Sequence, residues 1–180
     1  MLNISDLAQV YLDTPDQLDS LPQAVRSAFR AWVVERCHSF LPSHGLRMTI
    51  AHPGAWSPSN YRDLCNHAQD FSEILVSSDN NNSDLLPGEY NLWFRAWHDA
   101  THYAFSQEFT FAGEAVVACI QAQQTGSRLF QKILFSEVVL HAAVYFHTGD
   151  FAPGQQKLVL VDDSTLDAFL AAYDFRSVVW

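Results

Sequence analysis

The spacing of apolar residues predicts that most of the chain is helical. After Pro22, which suits the first turn of a helix, Val25, Phe29 and Val33 recur on one helical face. Comparable apolar stripes, bounded by capping residues or by breaks, predict further helices. These helices cover residues 5–13, 58–78, 90–106, 110–124, 127–147 and 164–173.

Three short segments alternate apolar with polar residues or are rich in β-formers, and this pattern predicts strands. They are LRMTIAH at 46–52, KLVLVD at 157–162 and DFRSVVW at 174–180. The polar run at 77–89 predicts an exposed loop within one domain. The sequence therefore predicts a mainly α fold, a helix bundle of about five to seven helices with two or three short peripheral strands, in a single domain over residues 1–180.

Length and composition indicate one ordered domain. The chain has 180 residues, of which 48% are hydrophobic and 13% aromatic, so it can bury a full core. The 20 Asp and Glu residues against 10 Lys and Arg give a net charge of −10. Because no basic patch can neutralise phosphates, we expect no binding to nucleic acid and no attraction to an anionic membrane.

The N-terminal segment and the cysteines predict a cytoplasmic protein. The chain begins without the basic start and apolar core of a signal peptide, and no stretch reaches the roughly 20 apolar residues of a membrane helix. Cys37, Cys65 and Cys119 are odd in number and far apart, which is typical of reduced thiols. No Gly-rich phosphate loop and no G-x-S-x-G element occurs, so P-loop and serine-hydrolase chemistry find no support.

Polar groups on apolar helix faces are the features that carry candidate chemistry. In the predicted helix 90–106, His98 and His102 share one face with Phe94 and Phe105. Such groups are costly to bury unless a partner compensates them. The sequence therefore predicts a polar site inside the helix bundle.

The next two predicted helices repeat this pattern. Glu114 falls on the apolar face of the helix 110–124, and both Glu137 and His141 fall on that of the helix 127–147. A buried carboxylate needs a cation or a hydrogen-bond donor as its partner. Arg95 or a metal ion could fill that role.

The mixture of imidazole and carboxylate side chains suits zinc, iron or manganese. We predict His98, His102 and His141 as metal ligands, with Glu137 or Glu114 completing the set. The other glutamate or Asp99 would act as a base or orient a ligand, and Arg95 would pair with a carboxylate or a substrate anion. These assignments predict a helical metal-binding protein and leave open whether it is also a metal-dependent enzyme acting on a small molecule.

Two other interpretations remain open at this stage. The same residues can form a buried polar network without metal, in a non-catalytic interaction or accessory protein. Alternatively, His67, the adjacent His98 and Asp99, and Asp150 follow the order of residues in HD-type phosphohydrolases. The sequence leaves a homo-oligomer open.

Three motifs resemble those of helical proteins from phages and their bacterial hosts. The motifs are FRAWHDATH, FTFAGE and SEVVLHAAVYF, within about residues 92 to 146. That group has a His-Asp pair, a second His and a Phe-x-x-x-Gly-Glu element in the same order. The resemblance implies that His98, Asp99, His102 and Glu114 are the shared site positions, and it implies no particular reaction.

Overall fold

Helices make up most of the computed structural model, which describes residues 3–79, 81, 83–150 and 156–173. The α-helices are α1 (Ile4–Asp13), α2 (Gln23–Ser43), α3 (Tyr61–Phe71), α4 (Glu89–Ala104), α5 (Phe111–Gln123), α6 (Arg128–Leu134), α7 (His141–Thr148) and α8 (Asp163–Ala172). The strands are β1 (Arg47–Ala51) and β2 (Glu73–Ser77). A π-helical segment, Phe135–Leu140, joins α6 to α7 in one continuous helix. The predicted mainly α fold with a few short strands is confirmed.

The chain folds into two compact units. The middle unit comprises Pro22–Phe109 and contains α2, β1, α3, β2 and α4. The terminal unit comprises Met1–Leu21 together with Thr110–Trp180 and contains α1 and the helices from α5 onward. The prediction of a single domain over the whole chain stays a prediction.

In the middle unit, β1, α3 and β2 form a parallel β-α-β arrangement, with Arg47 paired with Glu73 and Ala51 with Ser77. The prediction of one helix over residues 58–78 was wrong at both ends. The helix begins after Asn60, whose side chain accepts a hydrogen bond from the Asp63 amide at 3.0 Å.

The same helix ends at Ser72, which adopts a left-handed conformation with φ of 53°. The residues that follow pair with β1 instead of continuing the helix. Leu75 happens to keep the helical spacing of the apolar stripe, and this hid the strand in the sequence.

The core of the middle unit lies between α2 and α4. Phe29 on α2 and Trp97 on α4 are both 0% exposed. The Trp32 ring meets the Trp97 ring edge-on, with 5.3 Å between the ring centroids. Burial of such large rings stabilises α4 strongly, so this helix can carry polar side chains on the rest of its surface.

In the terminal unit, α1 packs on α7, and the π-helical segment packs on α5. Phe135 of the π-helical segment and Phe169 of α8 meet edge-on at 4.9 Å between centroids, which joins α8 to the same core. Leu7 and Tyr11 provide the buried face of α1. The unit therefore has its own hydrophobic interior.

The predicted strand at 157–162 does not form. Three consecutive amide groups of this segment donate to side chains rather than to a neighbouring strand. Leu158 donates to Asp16 Oδ1 at 3.0 Å, Val159 to Ser136 Oγ at 2.9 Å and Leu160 to Gln17 Oε1 at 2.7 Å. The predicted strand at 174–180 lies outside the described residues.

The continuous helix Arg128–Thr148 is long and apolar enough, by length and composition, to cross a membrane. More than half of its most apolar window is buried within the protein. A buried core helix of this composition passes the same test, so the finding is weak evidence for a membrane span.

Candidate metal site

Two imidazole rings one helical turn apart form the centre of the candidate site. His98 and His102 lie on α4, and their Nε2 atoms are 3.1 Å apart. Metal–nitrogen bonds of about 2.0–2.1 Å place two nitrogens about 2.9 Å apart at a right angle and about 3.3 Å apart at a tetrahedral angle. The observed separation therefore suits two ligands of one ion.

The second nitrogen of His102 is already engaged. Nδ1 lies 2.9 Å from the backbone oxygen of Gln107, and the side chain is fully buried. A carbonyl oxygen only accepts hydrogen bonds, so we assign the ring proton to Nδ1. The lone pair of Nε2 is then directed toward His98, as in a metal-ligating histidine.

Aromatic rings flank both imidazoles. Phe94 stacks against His98 at 6.1 Å between centroids, and Phe109 meets His102 edge-on at 4.8 Å. These apolar neighbours lower the local dielectric constant, which strengthens interactions with a cation or a carboxylate. The aromatic neighbours thus restrain the two imidazole rings and also strengthen their interactions with a nearby charge.

A carboxylate accompanies the two histidines. Within the residues that the structure describes, one group of His, Cys, Asp and Glu side chains is near enough together to hold a metal ion. It consists of His98, His102 and Glu114, with one ligand atom from each lying within 4.8 Å of the others. Three of the five predicted ligands belong to this group.

Glu114 lies in the first turn of α5, where the sequence determines its setting. The Thr110 side chain caps this helix by accepting from the Gly113 amide at 3.1 Å. A carboxylate near the positive end of a helix is stabilised in its charged form. Glu114 is therefore well suited to act as an anionic ligand.

Glu137 is buried, as its place on an apolar helix face predicted. It is 6% exposed and accepts a hydrogen bond from Gln156 Nε2 at 3.0 Å. Burial raises the pKa of this carboxyl to about 8, and the negative charge of Asp16 adds to the shift. Glu137 does not belong to the group formed by the other three side chains within the described residues.

His141 also lies outside that group. Burial lowers the pKa of this imidazole to about 4, while the negative charge of Glu114 acts in the opposite direction. Its ring lies 6.1 Å from the Tyr11 ring, centroid to centroid. A role for Glu137 and His141 as metal ligands stays a prediction, and the structure gives both residues other neighbours.

Arg95 and Asp99 were predicted to take part in catalysis. The Nη1 atom of Arg95 donates to the backbone oxygens of Ser77 and Asp79, at 2.8 and 3.1 Å. This contact secures the chain after β2, which is a structural role. Asp99 is half-buried beside His98 on α4, and its catalytic role stays a prediction.

The residue order of an HD-type phosphohydrolase is not matched by the candidate group. The HD-type pattern adds His67, and the Nε2 atom of this residue lies 3.0 Å from Glu73 Oε1. The ring packs against Trp56 and Phe71, at 5.7 and 4.8 Å between centroids. Among the described residues, neither His67 nor Asp150 belongs to the metal-competent group.

Sequence reasoning missed the acceptor that orients His102. That acceptor is a main-chain carbonyl, at Gln107, and every residue type has one. The only signal in the sequence was the gap between the predicted helices 90–106 and 110–124. A break shows that the chain turns, but it does not show where the next carbonyl points.

Comparison of the chain with protein families, curated proteins and solved structures gives no match. The resemblance to phage and bacterial proteins thus stays a prediction, and the site must be interpreted from its own geometry.

Proposed function

We propose that this protein binds a divalent transition-metal ion through His98 Nε2, His102 Nε2 and a carboxylate oxygen of Glu114. The convergence of these three ligand atoms within 4.8 Å supports the proposal. Two nitrogen ligands and one oxygen ligand suit zinc, iron(II) or manganese(II). The 3.1 Å separation of the Nε2 atoms matches neighbouring positions in such a coordination sphere.

We further propose that the ion is catalytic and acts on a small molecule. Three protein ligands leave at least one coordination position for water or substrate, whereas structural zinc sites usually use four protein ligands. A bound ion would polarise a substrate oxygen or lower the pKa of a bound water. Asp99, next to His98, is the proposed base or orienting group.

A non-catalytic accessory protein is the second candidate, in keeping with the resemblance to phage and host proteins. The observation that favours it is the direct contact of the two imidazoles. With the His102 proton on Nδ1, His98 Nε2–H can donate to His102 Nε2 across the 3.1 Å separation. A hydrogen bond of this kind satisfies both nitrogens without an ion.

Titration calorimetry on the chelator-treated full chain separates these two functions. Zinc, manganese and, without oxygen, iron(II) are each added in turn, and at least one is expected to bind at about one ion per chain. Replacing Glu114 by Gln keeps the size of the side chain but removes its charge, and should weaken binding at least tenfold, or about 1.4 kcal/mol.

The matched control is His147→Gln, which removes an exposed histidine on α7. This variant should bind the ion as the unaltered chain does. If none of the three ions binds the unaltered chain, the metal site is wrong and the polar network stands.

A further inference from the structure

We propose that the turn after α4, Phe105–Gln107, is the positioning element of the metal site, and that Tyr61 supports the same ligand through the ring of Phe109. In this inference Ser106, Gln107 and Tyr61 act through His102 rather than on the ion. The inference rests on the proposed function, because a positioning element matters only if His102 binds a metal ion. The contacts that support it all lie within the middle unit.

The first observation is a reciprocal pair of hydrogen bonds between His102 and Gln107. The Gln107 amide donates to the His102 backbone oxygen at 2.9 Å. In return, Nδ1–H of the His102 ring donates to the Gln107 backbone oxygen, also at 2.9 Å. The main chain of one residue therefore holds both the backbone and the side chain of the ligand.

The second observation is the backbone conformation that makes this pair possible. Ser106 has φ of 52°, in the left-handed region that residues other than glycine seldom adopt. The reversal at Ser106 ends α4 and turns the Gln107 carbonyl back toward the helix. The Gln107 side chain donates to the Phe105 backbone oxygen at 2.7 Å and closes the turn.

The third observation is a ring contact from another helix. Tyr61 lies in the first turn of α3. Its ring meets Phe109 edge-on at 6.1 Å, and Phe109 in turn meets the His102 ring at 4.8 Å. Tyr61 thus contacts the aromatic residue that packs on the ligand.

These contacts select one tautomer of His102. A neutral imidazole has a single N–H, and only the form with its proton on Nδ1 can donate to Gln107. That form leaves the Nε2 lone pair available for a metal ion. Partners that orient a ligating histidine in this way typically change metal affinity about 10- to 100-fold when they are lost.

The test compares substitutions at two serines that share one backbone conformation. Ser106 and Ser72 have φ of 52° and 53°, and each follows the end of a helix in the middle unit. Ser106→Val should displace the Gln107 carbonyl, because a β-branched residue disfavours the left-handed region. Ser72→Val imposes the same strain away from His102 and is the matched control.

The first measurement is the nitrogen-15 NMR spectrum of the metal-free full chain. His102 should be protonated on Nδ1 in the unaltered protein, in Ser72→Val and in Ser106→Gly, which keeps the left-handed turn. Ser106→Val should show a mixture of tautomers. Tyr61→Ala, which removes the ring that packs on Phe109, should show a smaller change.

The second measurement is zinc affinity by calorimetry. Ser106→Val should bind at least about tenfold more weakly than Ser72→Val at matched thermal stability, and Ser106→Gly should restore binding. An Nδ1-protonated His102 in Ser106→Val that matches the control would overturn the inference. If the unaltered chain binds no metal, the proposed function fails, and the tautomer populations still decide whether the turn positions His102.

Discussion

Two regions of this protein contain polar residues four apart on an apolar helix face, and the structure treats them differently. On α4, His98 and His102 direct two Nε2 atoms toward each other at 3.1 Å. At the junction of the π-helical segment and α7, Glu137 and His141 are each desolvated beside other neighbours. In the sequence the two pairs have the same spacing of four residues.

The difference lies in what surrounds each pair. On α4 a carbonyl oxygen engages the far nitrogen of His102, and the near nitrogen lies 3.1 Å from His98 Nε2. At the second pair, burial favours the uncharged form of both groups, a protonated carboxyl and a neutral imidazole. A protonated carboxyl is a poor metal ligand, so the four-residue spacing alone does not decide whether a pair can bind an ion.

The largest expected effect is the loss of metal binding on removing one of the α4 histidines. His102→Ala should abolish binding, because it removes a ligand, whereas His141→Ala should leave the zinc affinity within about threefold, or about 0.7 kcal/mol. Both affinities are measured by calorimetry on chelator-treated protein. Equal losses in the two variants would show that the two regions form one site, as the sequence first predicted.

The second prediction concerns Glu137. Its pKa is raised from 4.5 to about 8, so between these values the folded state keeps a proton that the unfolded state has lost. Stability should therefore fall as pH rises through this window, by about 1.4 kcal/mol per pH unit, and Glu137→Gln should remove that slope.

The measurement is the difference in unfolding free energy between Glu137→Gln and the unaltered chain, by denaturant unfolding at several pH values. Working with the difference cancels the other titrating groups. A difference that does not change between pH 5 and 8 would mean that Glu137 is ionised in the fold, contrary to the 4.5-to-8 shift.

The third prediction concerns His141, whose pKa is lowered from 6.5 to about 4. Between these values the unfolded state binds a proton that the folded state refuses, so stability falls as pH falls. The unfolding free energy of His141→Gln, relative to that of the unaltered chain, should rise by about 1.4 kcal/mol for each unit that pH drops from 6.5 toward 4.

The same unfolding series checks this prediction. Where the two windows overlap, the contributions of His141 and Glu137 have opposite signs, so the unaltered chain should show little slope from this pair. For each single variant, the difference in unfolding free energy from the unaltered chain is plotted against pH. Slopes of the same sign for the two variants would contradict the opposite contributions of Glu137 and His141.

The smallest expected effect belongs to Arg95. Because its guanidinium donates to the backbone oxygens of Ser77, at the end of β2, and of Asp79, Arg95→Met should lower stability by about 1–3 kcal/mol without changing metal affinity. Thermal unfolding and zinc titration of the same sample measure both quantities. If Arg95→Met lost zinc binding while keeping the thermal stability of the unaltered chain, Arg95 would be part of the metal site.

Local signals in the sequence were sufficient for most of the helices. Asn3 caps α1 and Thr110 caps α5 through their own side chains, and both interactions lie within three residues of the cap. The apolar stripe of α4 placed His98 and His102 on one face by helical geometry alone. Interactions that are short along the chain can be predicted from the chain.

The tertiary structure decided the parts that depend on distant partners. Glu73–Ser77 continues a helical pattern but pairs with Arg47–Ala51, about 26 residues earlier. The segment 157–162 has the composition of a strand, yet side chains such as Asp16 and Ser136 take its amide groups. Neither partner is visible from the segment itself.

The site divides in the same way. The sequence alone determined which residues offer nitrogen and oxygen ligands, because those are properties of residue types and of helical spacing. The fold decided their states: a left-handed turn at Ser106 sets the tautomer of His102, and burial neutralises Glu137 and His141. Protonation depends on desolvation and on carbonyl positions, and both arise only when the chain has packed.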